Sequence, residues 1–307
     1  MRARHLLSIA DLDADEITEI LDRAARFKRE GSPPLLAGKT LALVFEKPSL
    51  RTRVSFHVAM KRLGGDCLYL SQQEVGLGVR EAVKDVARVL GRYVDAIAAR
   101  TMTQRTVEEL AQYAGVPVIN ALSDTEHPCQ ALADLLTMRE HSEGLPGTRV
   151  AFIGDGNNVA ASLALACATM GMRLTLASPP GYGVPEAALA LARERAARSG
   201  GAVRLVRDPA EAVTDAQFIY TDVWVSMGQE EETAARREAF APYRVDRALL
   251  ARAPAGAKVM HDLPAHRGEE ITDDVIESSQ FIGFDQAENR LHAQQALLAI
   301  MLGEGRT

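Results

Sequence analysis

Short apolar runs alternate with helical repeats along this chain, and they do so in two blocks. In the first block, residues 41–45, 67–70, 96–99 and 118–121 read as buried strands. Helical spacing fills 52–63, 81–94, 107–114 and 128–141. Gly144-Leu145-Pro146-Gly147 then punctuates the chain, and strands follow at 150–153, 173–177, 203–206, 218–221, 258–261 and 281–284 with helices between them. Ahead of both blocks, Asp13 and Glu16 form a capping box. Ile17, Ile20, Leu21, Ala24 and Phe27 recur at helical spacing until Gly31 and Pro33-Pro34. Thr106 and Glu109 make a second such box. Apolar strands joined through helices bury both sheet faces, which predicts an α/β protein of two domains, each a mostly parallel sheet flanked by helices. The expected domains are 1–142 and 147–286, with a last helix at 287–307 packing back on the first. Ligands of such sheets sit at the carboxyl ends of the strands, here expected in a cleft that closes over them.

Composition excludes several classes. The net charge of −6 and a pI near 5.7, with no block of like charge, exclude a nucleic-acid partner. The chain has no apolar run of about 18 residues, so no membrane span is expected. The basic start has no apolar stretch behind it, against a secretory leader. Cys67, Cys129 and Cys167 make no disulfide framework, which points to a reducing cytoplasm.

Phe45-Glu46-Lys47-Pro48-Ser49-Leu50-Arg51-Thr52-Arg53 lies where a strand ends and a helix begins. Unpaired amides there, with hydroxyls and guanidinium groups, suit a phosphate. Arg100 ends the third strand, at the edge where sites form. In His127-Pro128-Cys129-Gln130, Pro128 suits the first helical position, and His127 and Gln130 can both donate to a carbonyl or phosphate oxygen. Each of these also has an ordinary reading: Ser49 as an N-cap, Arg100 as a solvated loop residue, His127 as a capping histidine, Cys129 as a packing residue.

Gly154-Asp155-Gly156-Asn157-Asn158-Val159 after the strand 150–153 mimics a dinucleotide fingerprint and raises an NAD-dependent oxidoreductase as a rival. Val159 stands where the third glycine belongs, and Ser178-Pro179-Pro180 follows the next strand in place of an acidic residue. The Asn pair suits a zwitterionic ligand instead. In Asp222-Val223-Trp224-Val225-Ser226-Met227-Gly228, Asp222 can hold an ammonium group and Ser226 a carboxylate. His261-Asp262-Leu263-Pro264 ends another strand, and Glu288-Asn289-Arg290 opens the last helix.

In this order the motifs resemble the ornithine branch of the aspartate/ornithine carbamoyltransferases over nearly the whole chain. Residues 45–53 are similar to the family's F-x-K-x-S-x-R-T-R, and Arg100 and His127–Gln130 to its strand-end Arg and H-P-x-Q. Residues 222–228 are similar to the D-x-W-x-S-M-G of the ornithine branch. The resemblance implies transfer of a carbamoyl group from carbamoyl phosphate to L-ornithine, giving L-citrulline and phosphate, in arginine biosynthesis. It implies carbamoyl-phosphate contacts from Ser49, Leu50, Arg51, Thr52, Arg100, His127, Gln130, Leu263 and Arg290, and ornithine contacts from Asn158, Asp222, Ser226 and Met227. Catalysis would fall to Arg100, His127, Asp222 and Asp262. The resemblance also implies a homotrimer or a multiple of one, with the segment 72–81 reaching toward a neighbour. No metal and no organic cofactor are expected.

Three positions depart from the family pattern. Leu50 replaces a Thr, Gly76 replaces a Gln or His, and Asp262 replaces the Cys of H-C-L-P. The alternatives are a transcarbamylase for putrescine or an acylated ornithine, a non-catalytic paralogue, and the oxidoreductase.

Overall fold

The computed structural model describes residues 5–226 and 229–303, apart from the side chain of Glu230. By contact, the chain divides into two compact units: residues up to Leu136 together with those from Glu288 onward, and Thr137–Ala287. The first unit holds β1 (Thr40–Phe45), β2 (Asp66–Ser71), β3 (Ala96–Arg100) and β4 (Val118–Leu122) in the order β2-β1-β3-β4. All pairings are parallel, and Phe45 is in register with both Ser71 and Arg100. Strand order reverses between β1 and β3, so the loops after these two strands diverge and leave a crevice at their carboxyl ends. Residues 46–52 follow β1 there, and Arg100 ends β3.

The second unit repeats this logic. Here β5 (Arg149–Ile153), β6 (Arg173–Ala177), β7 (Ala202–Val206), β8 (Phe218–Thr221) and β9 (Lys258–Met260) form a parallel sheet in the order β7-β6-β5-β8-β9. The reversal lies between β5 and β8, whose following loops carry Gly154–Asn158 and Asp222–Ser226. Burial follows from the sequence pattern. Leu41, Ala42, Leu43 and Val44 are fully covered, as parallel strands with helices on both faces must be. The helix Asn158–Thr169 is buried from Val159 to Thr169, and its near-continuous alanine and leucine run is what such a position requires. The helix Ala14–Glu30 starts at the expected Asp13–Glu16 capping box and buries the expected stripe of Ile17, Ile20, Leu21, Ala24 and Phe27.

Three sequence expectations are corrected. Residues 281–284 are not a strand: Phe281 makes one isolated bridge to Val259, and the last helix already begins there, spanning Gly283–Leu302. Glu288-Asn289-Arg290 therefore lies inside that helix and does not open it. The helix expected at 107–114 runs Gln104–Tyr113, capped by Thr103, whose side chain accepts from the Thr106 amide. Thr106 is thus an interior residue, and its hydroxyl pairs with that of Thr103 at 3.0 Å. Among the described residues no helix is long and apolar enough to cross a membrane.

Gly91 shows how tightly the first unit is packed. A Cβ on it would lie 1.6 Å from the carbonyl oxygen of Ala114, a backbone atom that cannot swing away. Gly91→Ala is expected to lower stability by about 3 kcal/mol in urea unfolding. Gly256→Ala, with nothing within 4 Å of the added carbon, should stay within about 0.5 kcal/mol of the parent.

Candidate active site

In the first unit, Ser49 caps the helix Leu50–Arg62. Its Oγ accepts from the Thr52 amide at 3.4 Å and donates to Thr52 Oγ1 at 3.0 Å. Thr52 is buried, Arg51 half-buried and the Leu50 side chain 75 % exposed; that side chain is apolar, so at position 50 only the backbone has a donor to offer an anion. From the last helix, Arg290 reaches Thr52 Oγ1 with Nη2 at 2.6 Å. Its Nη1 donates to Gln130 Oε1 at 2.5 Å and lies 3.3 Å from His127 Nε2. Gln130 is held from its other side, where Nε2 donates to Asp134 Oδ1 at 2.8 Å, one helical turn on. Arg100, His127, Gln130 and Arg290 are all buried.

Burial holds the His127 pKa well below 6.5, and the charges of Arg290 and Arg100 add to the shift. A guanidinium only donates, so Nε2 facing Arg290 is an acceptor and the ring proton sits on Nδ1. The result is a neutral imidazole beside the guanidinium groups of Arg290 and Arg100, an arrangement suited to an anion.

The second unit has the opposite polarity. Asn157 caps the helix that follows β5 and donates from Nδ2 to Asp222 Oδ2 at 2.7 Å. The Val223 amide donates to Asp222 Oδ1 at 2.7 Å. Burial raises the Asp222 pKa well above 3.8, and the like charge of Asp262 adds to the rise. Asp262 Oδ1 lies 3.4 Å from His261 Nδ1, and His261 Nε2 lies 3.0 Å from Glu270 Oε1.

Burial disfavours a charged His261, whereas hydrogen bonds to the carboxylates of Asp262 and Glu270 act to raise its pKa. The Leu263 amide argues the other way. It stands 2.9 Å from Nδ1, nearer than Asp262, and a protonated Nδ1 has no lone pair to accept it. We therefore assign the neutral ring, with Nε2–H donating to Glu270. Ligand-type atoms of Asp222, His261 and Asp262 lie within 4.8 Å of one another. With both ring nitrogens of His261 engaged, this group does not offer the free imidazole that a metal centre draws on.

The dinucleotide reading fails on geometry. A pyrophosphate needs open space against the second glycine of its turn. At Gly156 that space is filled by the chain itself: an added Cβ would lie 2.0 Å from the Val184 nitrogen, and the Gly156 amide donates to Tyr182 O at 2.8 Å.

Residues 4–140 match the model of the aspartate/ornithine carbamoyltransferase carbamoyl-P binding domain, and residues 146–301 that of the Asp/Orn binding domain. The chain belongs to the aspartate/ornithine carbamoyltransferase family. It is 52% identical to an anabolic ornithine carbamoyltransferase of Pyrococcus furiosus, over 99% of this chain and 98% of that one. It is 54% identical to the ornithine carbamoyltransferase of Acidothermus cellulolyticus, over 97% and 96%. The solved structure of the ornithine carbamoyltransferase from Pyrococcus furiosus superposes with a TM-score of 0.96 at 51% identity, over 99% and 98% of the two chains. That from Giardia lamblia gives 0.89 at 34%, over all of both chains.

The expected residues other than Met227 fall into the two units. Ser49, Arg51, Thr52, Arg100, His127, Gln130 and Arg290 belong to the first unit, with Thr52, His127 and Gln130 joined through Arg290. Asp222 and Asp262 come together in the second unit. Asn158 is half-buried at the start of its helix, next to the Asn157 that binds Asp222. The Ser226 turn is closed by Gln229, whose Oε1 accepts from the Ser226 amide at 3.0 Å. Leu263 belongs to the second unit and has a φ of 61°, a left-handed backbone that a branched side chain rarely adopts. Met227 lies outside the described residues.

The change to Gly76 has a steric reason. Its φ is 63°, and a Cβ would lie 2.6 Å from the Arg80 Cβ. The tight turn excludes a Gln or His unless Arg80 moves.

Asn157, Asp134 and Glu270 were missed in the sequence. The Asn157-Asn158 pair carried the first signal, but nothing said which Asn faces Asp222. The i, i+4 spacing of Gln130 and Asp134 carried the second. Glu270 follows Glu269 in what reads as a solvated acidic pair, yet it is fully buried.

His127 gives a pH prediction with a definite sign. Its folded pKa lies below 6.5, so below that pH the unfolded chain takes up the proton first and stability falls as pH drops. Urea midpoints should decline from pH 6.5 downward, and His127→Asn should flatten that decline by at most about 2 kcal/mol at pH 5.

Proposed function

We propose that this chain is an ornithine carbamoyltransferase, converting carbamoyl phosphate and L-ornithine to L-citrulline and phosphate. The observation that carries the reading is the polarity of the second unit. The substrates that distinguish the two branches of the family differ in the charge at the end of the side chain, carboxylate for aspartate and ammonium for ornithine. Asp262, held beside Asp222 and His261, favours a cation at the end of the substrate side chain and opposes a second carboxylate, while Asp222, steered by Asn157, suits the α-ammonium. The names of the relatives support the same branch, and the word anabolic on the Pyrococcus furiosus protein supports a place in arginine biosynthesis.

In this mechanism Ser49, the Leu50 amide, Arg51, Thr52 and Arg100 hold the phosphate and neutralise charge developing on the leaving group. Arg290, His127, Gln130 and Thr52 polarise the carbamoyl oxygen, and Leu263 adds a contact to carbamoyl phosphate. Asn158, Ser226 and the backbone of Met227 hold the amino-acid end of ornithine, with Asp222. The δ-amine loses a proton and attacks the carbamoyl carbon, phosphate leaves, and no covalent enzyme intermediate is needed. Rate acceleration comes from positioning and from fixed charge. A cytoplasmic homotrimer, or a multiple of one, completes the reading on family resemblance.

A citrulline-type assay with ornithine, putrescine and aspartate side by side should give turnover with ornithine first by a wide margin. Preference for putrescine would move the chain to another transcarbamylase class. In the same assay Arg51→Ala and Arg100→Ala should each lose about 2–4 kcal/mol of transition-state stabilisation, chiefly in the use of carbamoyl phosphate.

Asp262 takes an active part on this reading. A carboxylate beside Asp222 can bind the δ-ammonium or accept its proton, where a Cys does less of either. Asp262→Asn removes the like charge that helps raise the Asp222 pKa, so the acid limb of the ornithine kcat/KM profile should move to lower pH. kcat should fall by about 100-fold, with a smaller effect on carbamoyl phosphate affinity. An Asp262→Asn enzyme with unchanged kcat from about pH 6 to 10 would leave the position as a tolerated replacement.

A further inference from the structure

Arg236 plays no part in the chemistry above, yet it is only 6% exposed. It stands on the helix Thr233–Phe240, and its guanidinium is engaged on several sides. Nη1 donates to Asp155 Oδ2 at 2.9 Å and to the Trp224 carbonyl at 3.1 Å. Nε donates to Glu232 at 2.8 Å, and the guanidinium lies 4.9 Å from the centre of the Tyr182 ring. Asp155 sits in the turn that runs directly into Asn157 and Asn158. Trp224 lies midway between Asp222 and Ser226. One side chain therefore ties together the two loops that carry the proposed ornithine contacts.

The surroundings reinforce that tie. Phe240, on the same helix, has Tyr182 at 4.9 Å and Trp224 at 6.1 Å, so both neighbours of the guanidinium also rest on one ring. The Gly156 amide donates to Tyr182 O, closing the loop on the Asp155 side. An apolar pair of similar volume would fill such a space with comparable stability. A planar fork of donors adds what apolar packing cannot: fixed directions toward a carboxylate and a carbonyl at once.

We propose that Arg236 is a positioning residue for the amino-acid end of the substrate, setting the spacing between the Asp155–Asn158 turn and the Asp222–Ser226 loop. The inference rests on the reading of the second unit as the ornithine-binding half. Asp222 and Ser226 flank the tethered carbonyl, so releasing it disturbs recognition of the α-amino and α-carboxylate groups. Carbamoyl phosphate contacts, which lie on other elements, stay as they were.

The test uses full-length Arg236→Lys and Arg236→Met proteins beside the parent. The readouts are steady-state kinetics in both substrates, inhibition by L-norvaline, which has the amino-acid end of ornithine without the δ-amine, and inorganic phosphate binding by calorimetry. KM for ornithine and Ki for L-norvaline should rise together by about 10–100-fold, more in Met than in Lys. KM for carbamoyl phosphate and phosphate affinity should stay within about twofold, and kcat should change less than the ornithine KM. Asp155→Asn should shift the same constants in the same direction, and adding it to Arg236→Met should cost little more.

Unchanged ornithine KM and norvaline Ki in Arg236→Met would overturn the proposal. Loss of phosphate binding in both variants, or an equal fall for both substrates, would also overturn it by making the role one of general stability. A parent that turns over carbamoyl phosphate but not ornithine would instead bring down the functional reading beneath it.

Discussion

Each sheet reverses its strand order once, and the chemistry-bearing loops gather at those two places. In the first unit the reversal separates β1 from β3, in the second β5 from β8. A parallel sheet points all its carboxyl ends one way, and at a reversal the following helices go to opposite faces, so the loops part and leave a crevice. Residues 46–52 and Arg100 are brought together by this arrangement, as are Asn157 and Asp222. The Asp155–Arg236 pair follows from the second reversal too, since Asp155 and Trp224 sit in the loops after β5 and β8.

Given these frames, the two units are built for opposite charges, and each manages its own charge differently. In the first, Arg290 and Arg100 stand beside His127. A second charge type there would defeat anion binding only if it were negative, and a protonated ring would repel the guanidinium groups, so burial beside them keeps the ring neutral. The Arg290 guanidinium then orders neutral partners, Thr52 and Gln130, whose dipoles are fixed before any ligand arrives. In the second unit Asp222 is buried next to another carboxylate. Its hydrogen bonds from Asn157 and Val223 fix its direction, while burial and the like charge of Asp262 raise its pKa, a rise that a bound cation would oppose.

Much of this was legible in the letters. Apolar runs bounded by polar turns mark every strand of both sheets to within a residue or so; the inner strands, covered on both faces, carry the clearest runs, and the half-exposed edge strands β2 and β7 weaker ones. The expected strand at 281–284 shows the limit of that rule. Phe281-Ile282-Gly283-Phe284 is apolar enough for a strand, but only Phe281 bridges β9, and Gly283 already turns into the last helix. Periodicity cannot separate a short strand from the first turn of a covered helix. The cap lies at Thr103 where Thr106 is expected, because both threonines precede the apolar repeat. In the site, residue types are visible in the sequence but partnerships are not. Nothing in the letters says that Asn157 bonds Asp222 or that Glu270 lies buried against His261. Such pairings span distant segments, and only the fold decides them.

Asp262 is where local stability and the proposed function pull apart. Asp222 and Glu270 are buried, Asp262 is nearly so, and His261 between them is best satisfied as a neutral ring that donates to Glu270 and accepts from Leu263. Ionising a second carboxylate in that space costs free energy unless a proton or a cation arrives with it. A cysteine at this position would remove the conflict, because a buried thiol stays neutral. On the proposed function, an ammonium group bound beside Asp262 offsets that cost, which favours a cationic substrate over an anionic one and leaves a carboxylate beside the amine to take its proton when the nitrogen attacks. On that reading the aspartate trades local stability for choice of ligand, a trade characteristic of functional sites.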